Sequence, residues 1–217
     1  MGALCEPVTP VLRVHRIPFS TNVERVALAL GHKGVAVEWV DVDPADRGPV
    51  RELSGQDLVP VLETDHGEVL VDSMRIVAWL ESHRPAPPLW PAAEPRRTEV
   101  DVFVEWFDRV WKVPPNAIEA ELGRPAPDEA RIDAWSEEMR GLLHSFEALL
   151  DGRDHLLGDA FGAADVCAFP FLKYGVLHEP DDDELFHRIL MERLPIAGGG
   201  FPRLEAWVHR VNERPRA

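Results

Sequence analysis

The sequence predicts a chain in two parts, a mixed α/β domain with elements in the order βαβαββα followed by an all-α helical domain. Three observations carry that expectation. Strand and helix signals alternate as far as His83, a proline-dense stretch from Arg84 to Pro91 interrupts them, and beyond it only helical periodicity remains. The boundaries read as 1–83 for the first domain, 84–95 for the linker and 96–217 for the second domain.

Val11-Leu12-Arg13-Val14-His15 is a short β-prone run. Thr21 to His32 carries Val23, Val26, Ala27 and Leu30 at helical spacing. Val35 to Val40 reads as a second strand, and Pro44 to Leu53 as a short polar helix or loop. Val59 to Glu63 and Val69-Leu70-Val71 read as two strands joined by a turn at Asp65-His66-Gly67. Ser73 to His83 returns to helical spacing through Ile76, Val77 and Leu80. Arg84-Pro85-Ala86-Pro87-Pro88-Leu89-Trp90-Pro91 cannot continue a helix. In the second part, Val100–Trp111, Glu129–Leu150, Ala163–Leu177 and Pro202–Arg214 are periodic, with loops at Asp181–Glu184 and Gly198–Gly200 flanking a short helix. No internal repeat is evident.

The 217 residues are 45% hydrophobic and include seven tryptophans, enough for a sizeable core. A formal net charge of −15 argues against a nucleic-acid partner and against an anionic membrane surface. No apolar run approaches the roughly 20 residues that span a bilayer. Met1 to Pro10 lacks the basic start and apolar core of a signal peptide. Cys5 and Cys167 therefore read as free thiols of a cytoplasmic protein. Neither belongs to a CxxC pair, and the nine histidines have no HExxH spacing, so no metal is expected. GxSxG and GxGxxG loops are absent.

Three local patterns stand out. In Leu58-Val59-Pro60-Val61-Leu62 a proline sits among β-prone residues, where it removes a ladder donor; an edge strand opening on proline is the simple reading. Asp72-Ser73 immediately precedes a helix, so Ser73 can cap it, and a helix N-terminus also offers N–H groups and a positive dipole end to an anion. In Gly158-Asp159-Ala160-Phe161-Gly162-Ala163-Ala164-Asp165, Gly162 at the N-cap puts Asp165 at N3, half of a capping box, with Phe161 placed to pack on Val166.

The order of elements and these three patterns together resemble the glutathione S-transferases, over nearly the whole chain. The resemblance implies a thioredoxin-like first domain that binds glutathione, and no metal. It implies a cis peptide at Val59-Pro60, with the backbone of Val59 offered to the cysteine of glutathione. Asp72 takes the α-amino group of the γ-glutamyl end and Ser73 its carboxylate. It also implies a two-fold homodimer, paired through the helix from Ser73 and the fourth helix, and the conjugation of small hydrophobic electrophiles familiar from detoxification.

Such chemistry needs a thiolate, and an ordinary thiol has a pKa of about 8.5. The family places a Tyr, Ser or Cys donor just after the first strand. Here that region reads Ile17-Pro18-Phe19-Ser20-Thr21-Asn22, and the only tyrosine, Tyr174, lies in the other domain. Ser20 is the leading thiol activator, followed by Asn22 and Thr21, although the slot before the proline, filled by serine in Ser-Pro-Phe members, holds Ile17. Thr21-x-x-Glu24 is also a capping box in its own right. Arg25, on the first helix, either points back toward the site or is an ordinary exposed helix arginine. The electrophile pocket is expected between the domains, walled by the loop around Phe19 and by one face of the fourth helix with Trp106, Val110 and Trp111, although aromatics at this spacing more often belong to a core. The alternative function is a non-catalytic module of this fold that binds a ligand or joins a complex.

Overall fold

The computed structural model describes residues 12–217. Cys5, the N-terminal ten residues and Val11 lie outside the described residues.

The first part follows the expected order: β1 (Arg13–Arg16), α1 (Thr21–Lys33), β2 (Glu38–Asp41), α2 (Gly48–Ser54), β3 (Val61–Glu63), β4 (Val69–Val71) and α3 (Ser73–His83). The strands lie in the order β2-β1-β3-β4. β1 runs parallel to β2, with Val14 opposite Trp39, and antiparallel to β3, with Val14 opposite Leu62. Pro60 falls just before β3, so its missing N–H costs the ladder nothing, and the Val59–Pro60 bond is cis.

The second part is helical: α4 (Arg96–Trp106), a π-helical turn (Phe107–Trp111), α5 (Val113–Leu122), α6 (Glu129–Leu149), α7 (Ala163–Leu172), α8 (Leu185–Arg193) and α9 (Pro202–Asn212). Helix α5 departs from the sequence reading, which took nothing from Val113-Pro114-Pro115. Prolines are tolerated in a first turn, where an N–H has no intrahelical partner, so here they start a helix. The stretch expected to be one helix from Ala163 to Leu177 ends at Leu172 and tightens into a 3₁₀ turn over Lys173–Gly175.

Helix α7 is buried along its whole length and packs on α1, so the two parts share one hydrophobic core running from Val14 to Val211. Its start is pinned by Asp165, whose carboxylate accepts from Gly162 N (2.9 Å), Leu156 N (3.1 Å) and Trp207 Nε1 (2.7 Å). A Cβ on Gly162 would stand 2.9 Å from the Leu89 carbonyl, which accepts the Ala163 amide at 2.8 Å. That close approach explains glycine at a cap position otherwise favouring Ser or Thr. No helix among the described residues is long and apolar enough to cross a membrane.

Candidate functional site

Two adjoining cavities open where the β1–α1 loop, the segment before β3 and the start of α3 face the helical domain. The larger, about 450 Å³, runs from the β1–α1 loop to α5, α7 and the start of α8. The smaller, about 300 Å³, lies between α1, the Gln56–Pro60 segment, the start of α3 and the π-helical turn. Asn22, Leu58, Val59 and Lys112 line both.

The smaller cavity gathers several polar and charged side chains. Asp72 is the N-cap of α3, at φ 72°, a left-handed conformation that a non-glycine residue adopts at a cost. Its Oδ1 accepts from Met74 N (3.0 Å) and Arg75 N (3.1 Å). The cap is therefore Asp72, not Ser73, and the Met74 and Arg75 amides are already occupied. Asp72 Oδ2 has no partner among the described residues. Ser73 Oγ accepts from Arg25 Nη1 at 3.2 Å, which leaves its own proton to donate elsewhere.

Arg25 is not a surface residue. It is 1% exposed and donates from Nε to the Cys167 carbonyl (2.9 Å) and from Nη2 to Asp108 Oδ1 (2.9 Å). Lys112 reaches Asn22 Oδ1 at 3.4 Å and Asp108 at 3.6 Å. Burial, and after it the neighbouring Arg25 charge, pulls the Lys112 ammonium below its ordinary pKa. Burial pushes the Cys167 thiol up to about 12, so it is no nucleophile at neutral pH.

At the mouth of α1, Ser20 is the N-cap, and its Oγ accepts the Val23 amide at 3.4 Å. The capping box read at Thr21 does not form: Glu24 instead binds Lys173 (2.8 Å) and Arg216 (2.9 Å). Phe19, at φ 62°, is a second left-handed non-glycine residue and is 44% exposed at the cavity edge.

Of the residues singled out from sequence, Asn22, Val59, Pro60, Asp72 and Ser73 meet at the smaller cavity, and Phe19 and Ser20 at the larger one. Trp106, Val110 and Trp111 line neither. Trp111 is fully buried and stacks on Phe107 at 4.5 Å, and Trp106 packs on Phe103 and Phe146. The opposite wall of the larger cavity comes instead from Lys112, Asn116, Glu119, Phe171, Phe186 and His187, none of which the sequence flagged. Burial, and after it Glu184, raises the Glu119 carboxyl above its usual range.

Residues 14–88 match the family model for a glutathione S-transferase N-terminal domain, and residues 112–215 the model for the C-terminal domain. The chain belongs to the glutathione S-transferase superfamily. It is 26% identical to glutathione S-transferase GstB of Escherichia coli, over 90% of each chain. It is 31% identical to FtsZ-localized protein A of Caulobacter vibrioides, over 71% of this chain and 73% of that one. The solved glutathione S-transferase from Methylobacillus flagellatus, with GSH bound, superposes with a TM-score of 0.78 at 22% identity, covering 94% of this chain and 95% of that one. That likeness extends the glutathione S-transferase fold through both parts of the chain.

Proposed function

We propose that this glutathione S-transferase superfamily member joins the glutathione thiolate to a small hydrophobic electrophile. The observation that carries the reading is the continuity of the two cavities through Asn22, Val59 and Lys112. One cavity has groups for a zwitterion, with Asp72 for the ammonium and Ser73 for the carboxylate. The other has apolar walls from Ile17, Phe19, Phe171 and Phe186 for the electrophile. Glutathione lies in the first with its cysteine beside Val59, so its sulfur emerges near Ser20 at the floor of the second. The thiolate forms a carbon–sulfur bond, and the protein supplies thiol activation and proximity.

Retention on glutathione resin together with conjugation of chlorodinitrobenzene is the test. Retention without turnover of any electrophile favours a binding module instead. Asp72→Ala weakens glutathione binding about tenfold or more, the loss of one charge-assisted bond. The same substitution removes the α3 cap and lowers stability by about 1 kcal/mol. Isothermal titration and thermal melts read the two effects separately. A variant with unchanged glutathione affinity counts against the assignment of Asp72.

The protein works as a two-fold homodimer in this reading, with α3 of one subunit against α4 of the other. On α4, Val102 is an apolar side chain left exposed in the single chain. Light scattering at micromolar concentration shows twice the chain mass if this holds, and a monomer contradicts it.

A further inference from the structure

The larger cavity contains a polar cluster that thiol activation does not use. His187, in the first turn of α8, is 4% exposed and lines the cavity opposite Ser20. Its Nδ1 sits 2.8 Å from Asp182 Oδ1 and 2.7 Å from Oδ2. Asp182 also accepts the Tyr174 hydroxyl (2.8 Å) and the Glu184 amide (3.2 Å). Burial opposes charge on Asp182, but the bonds from His187 and Tyr174 outweigh it and hold the carboxyl below its usual range. Tyr174 stacks on the imidazole, with ring centroids 4.3 Å apart and planes within 13°. The ring is thus held in plane by Tyr174 and in orientation by Asp182.

An ionised carboxylate at Nδ1 makes that nitrogen the N–H donor and leaves Nε2 as the working nitrogen. Nε2 has no partner among the described residues. It is also not among their buried unsatisfied atoms, so it keeps some exposure, and His187 borders the cavity. Besides Tyr174 and Asp182, Glu119 from α5 acts on the His187 charge, and Glu184 at the start of α8 and Lys112 line the same cavity.

We propose that His187 is a general acid of the electrophile cavity, oriented by Asp182 and Tyr174, and that it selects electrophiles whose charge develops on oxygen, such as α,β-unsaturated ketones. The proposal rests on the transferase reading above. The thiol proton of glutathione passes to solvent when the thiolate forms. The thiolate then bonds to the β-carbon, the alkene electron pair moves to give an enolate, and the imidazolium Nε2–H gives its proton to the enolate oxygen. The enol tautomerises to the ketone in water, and His187 regains a proton from solvent, so the net change is addition of S–H across the double bond. An aryl halide needs no such proton, because chloride leaves with the electron pair.

The experiment compares the two electrophiles, an aliphatic α,β-unsaturated ketone and chlorodinitrobenzene, on wild type, His187→Gln and Asp182→Asn. In His187→Gln, kcat for the ketone falls about 100-fold more than kcat for the aryl halide, the usual contribution of a positioned acid. KM for glutathione holds. Asp182→Asn shows the same selectivity change to a smaller extent, since the tautomer is no longer fixed. Equal losses on both electrophiles, or no loss on either, overturn the proposal. Should neither variant fold, wild type still decides: solvent deuterium slows the ketone reaction and not the aryl halide reaction, and equal effects overturn it. Wild type that conjugates the aryl halide but not the ketone overturns the general acid alone, whereas wild type that conjugates neither overturns the transferase reading as well.

Discussion

Arg25→Met lowers the unfolding free energy by about 3 kcal/mol, the cost of leaving buried acceptors without their donor. For a chain of this size that corresponds to a melting temperature lower by about 10 °C. The substituted side chain keeps most of the volume over the Phe171 ring, 4.8 Å from the guanidinium carbon, so the loss is electrostatic and not a cavity. What is left behind is the costly part. The Cys167 carbonyl, Ser73 Oγ and Asp108 each lose a donor, and the first two are buried. These three partners sit on α7, α3 and the π-helical turn, so one side chain ties the first domain to the second at the wall of the smaller cavity. Arg25→Lys recovers little, because a point charge cannot reach three directions at once. Adding Asp108→Asn to Arg25→Met recovers little, because Asp108 is partly exposed and keeps Lys112 at 3.6 Å when Arg25 is gone. Denaturant unfolding measures all three, and a drop under about 1 kcal/mol for Arg25→Met contradicts the account.

Arg25 also marks the limit of what the sequence disclosed. Its i, i+3 and i+4 neighbours place it on a helix, but nothing in the sequence tells an exposed helix arginine from one that spans a domain interface. The order βαβαββα was legible because each element carries its own period, and Pro60 with Asp72-Ser73 was legible because the patterns are local. The wall of the larger cavity was not. It is assembled from Lys112, Glu119, Phe171 and His187, which only the fold brings together. The expectation for Trp106, Val110 and Trp111 used a regular helical wheel. The π-helical turn from Phe107 to Trp111 inserts a residue there, rotating everything after it, so Trp111 turns into the core and Lys112 toward the cavity. The cap of α1 was misread for a similar reason: Glu24 completes the local pattern with Thr21, but Lys173 and Arg216 from the other domain claim it.

Ser20→Ala, in the transferase reading, lowers kcat for conjugation about 10²–10³-fold, the effect of losing one donor aimed at developing or resident negative charge. The position supports this role better than sequence alignment with Ser-Pro-Phe members does. Ser20 Oγ accepts the Val23 amide, so the hydroxyl proton is directed away from α1, and Ser20 lines the larger cavity. The positive end of the 13-residue helix α1 stands behind it, and Lys112 faces the same space; both favour a thiolate. Without the hydroxyl the bound thiol keeps its proton to a higher pH. The sign follows directly: a less stabilised thiolate means a higher thiol pKa, so the pH of half-maximal activity moves up, and part of the lost rate returns in alkaline buffer. Glutathione binding persists, since Asp72, Ser73 and Val59 hold the rest of the tripeptide. Because Ser20 is also the α1 cap, the alanine variant loses about 1 kcal/mol of stability. Ser20→Asn or Ser20→Gly separates the two roles, as either preserves the cap far better than alanine while removing the hydroxyl. If those variants keep full activity and an unshifted pH profile, the hydroxyl is only a cap, and thiol activation passes to Asn22, which Arg25 and Lys112 both reach with bonds of 3.4 Å.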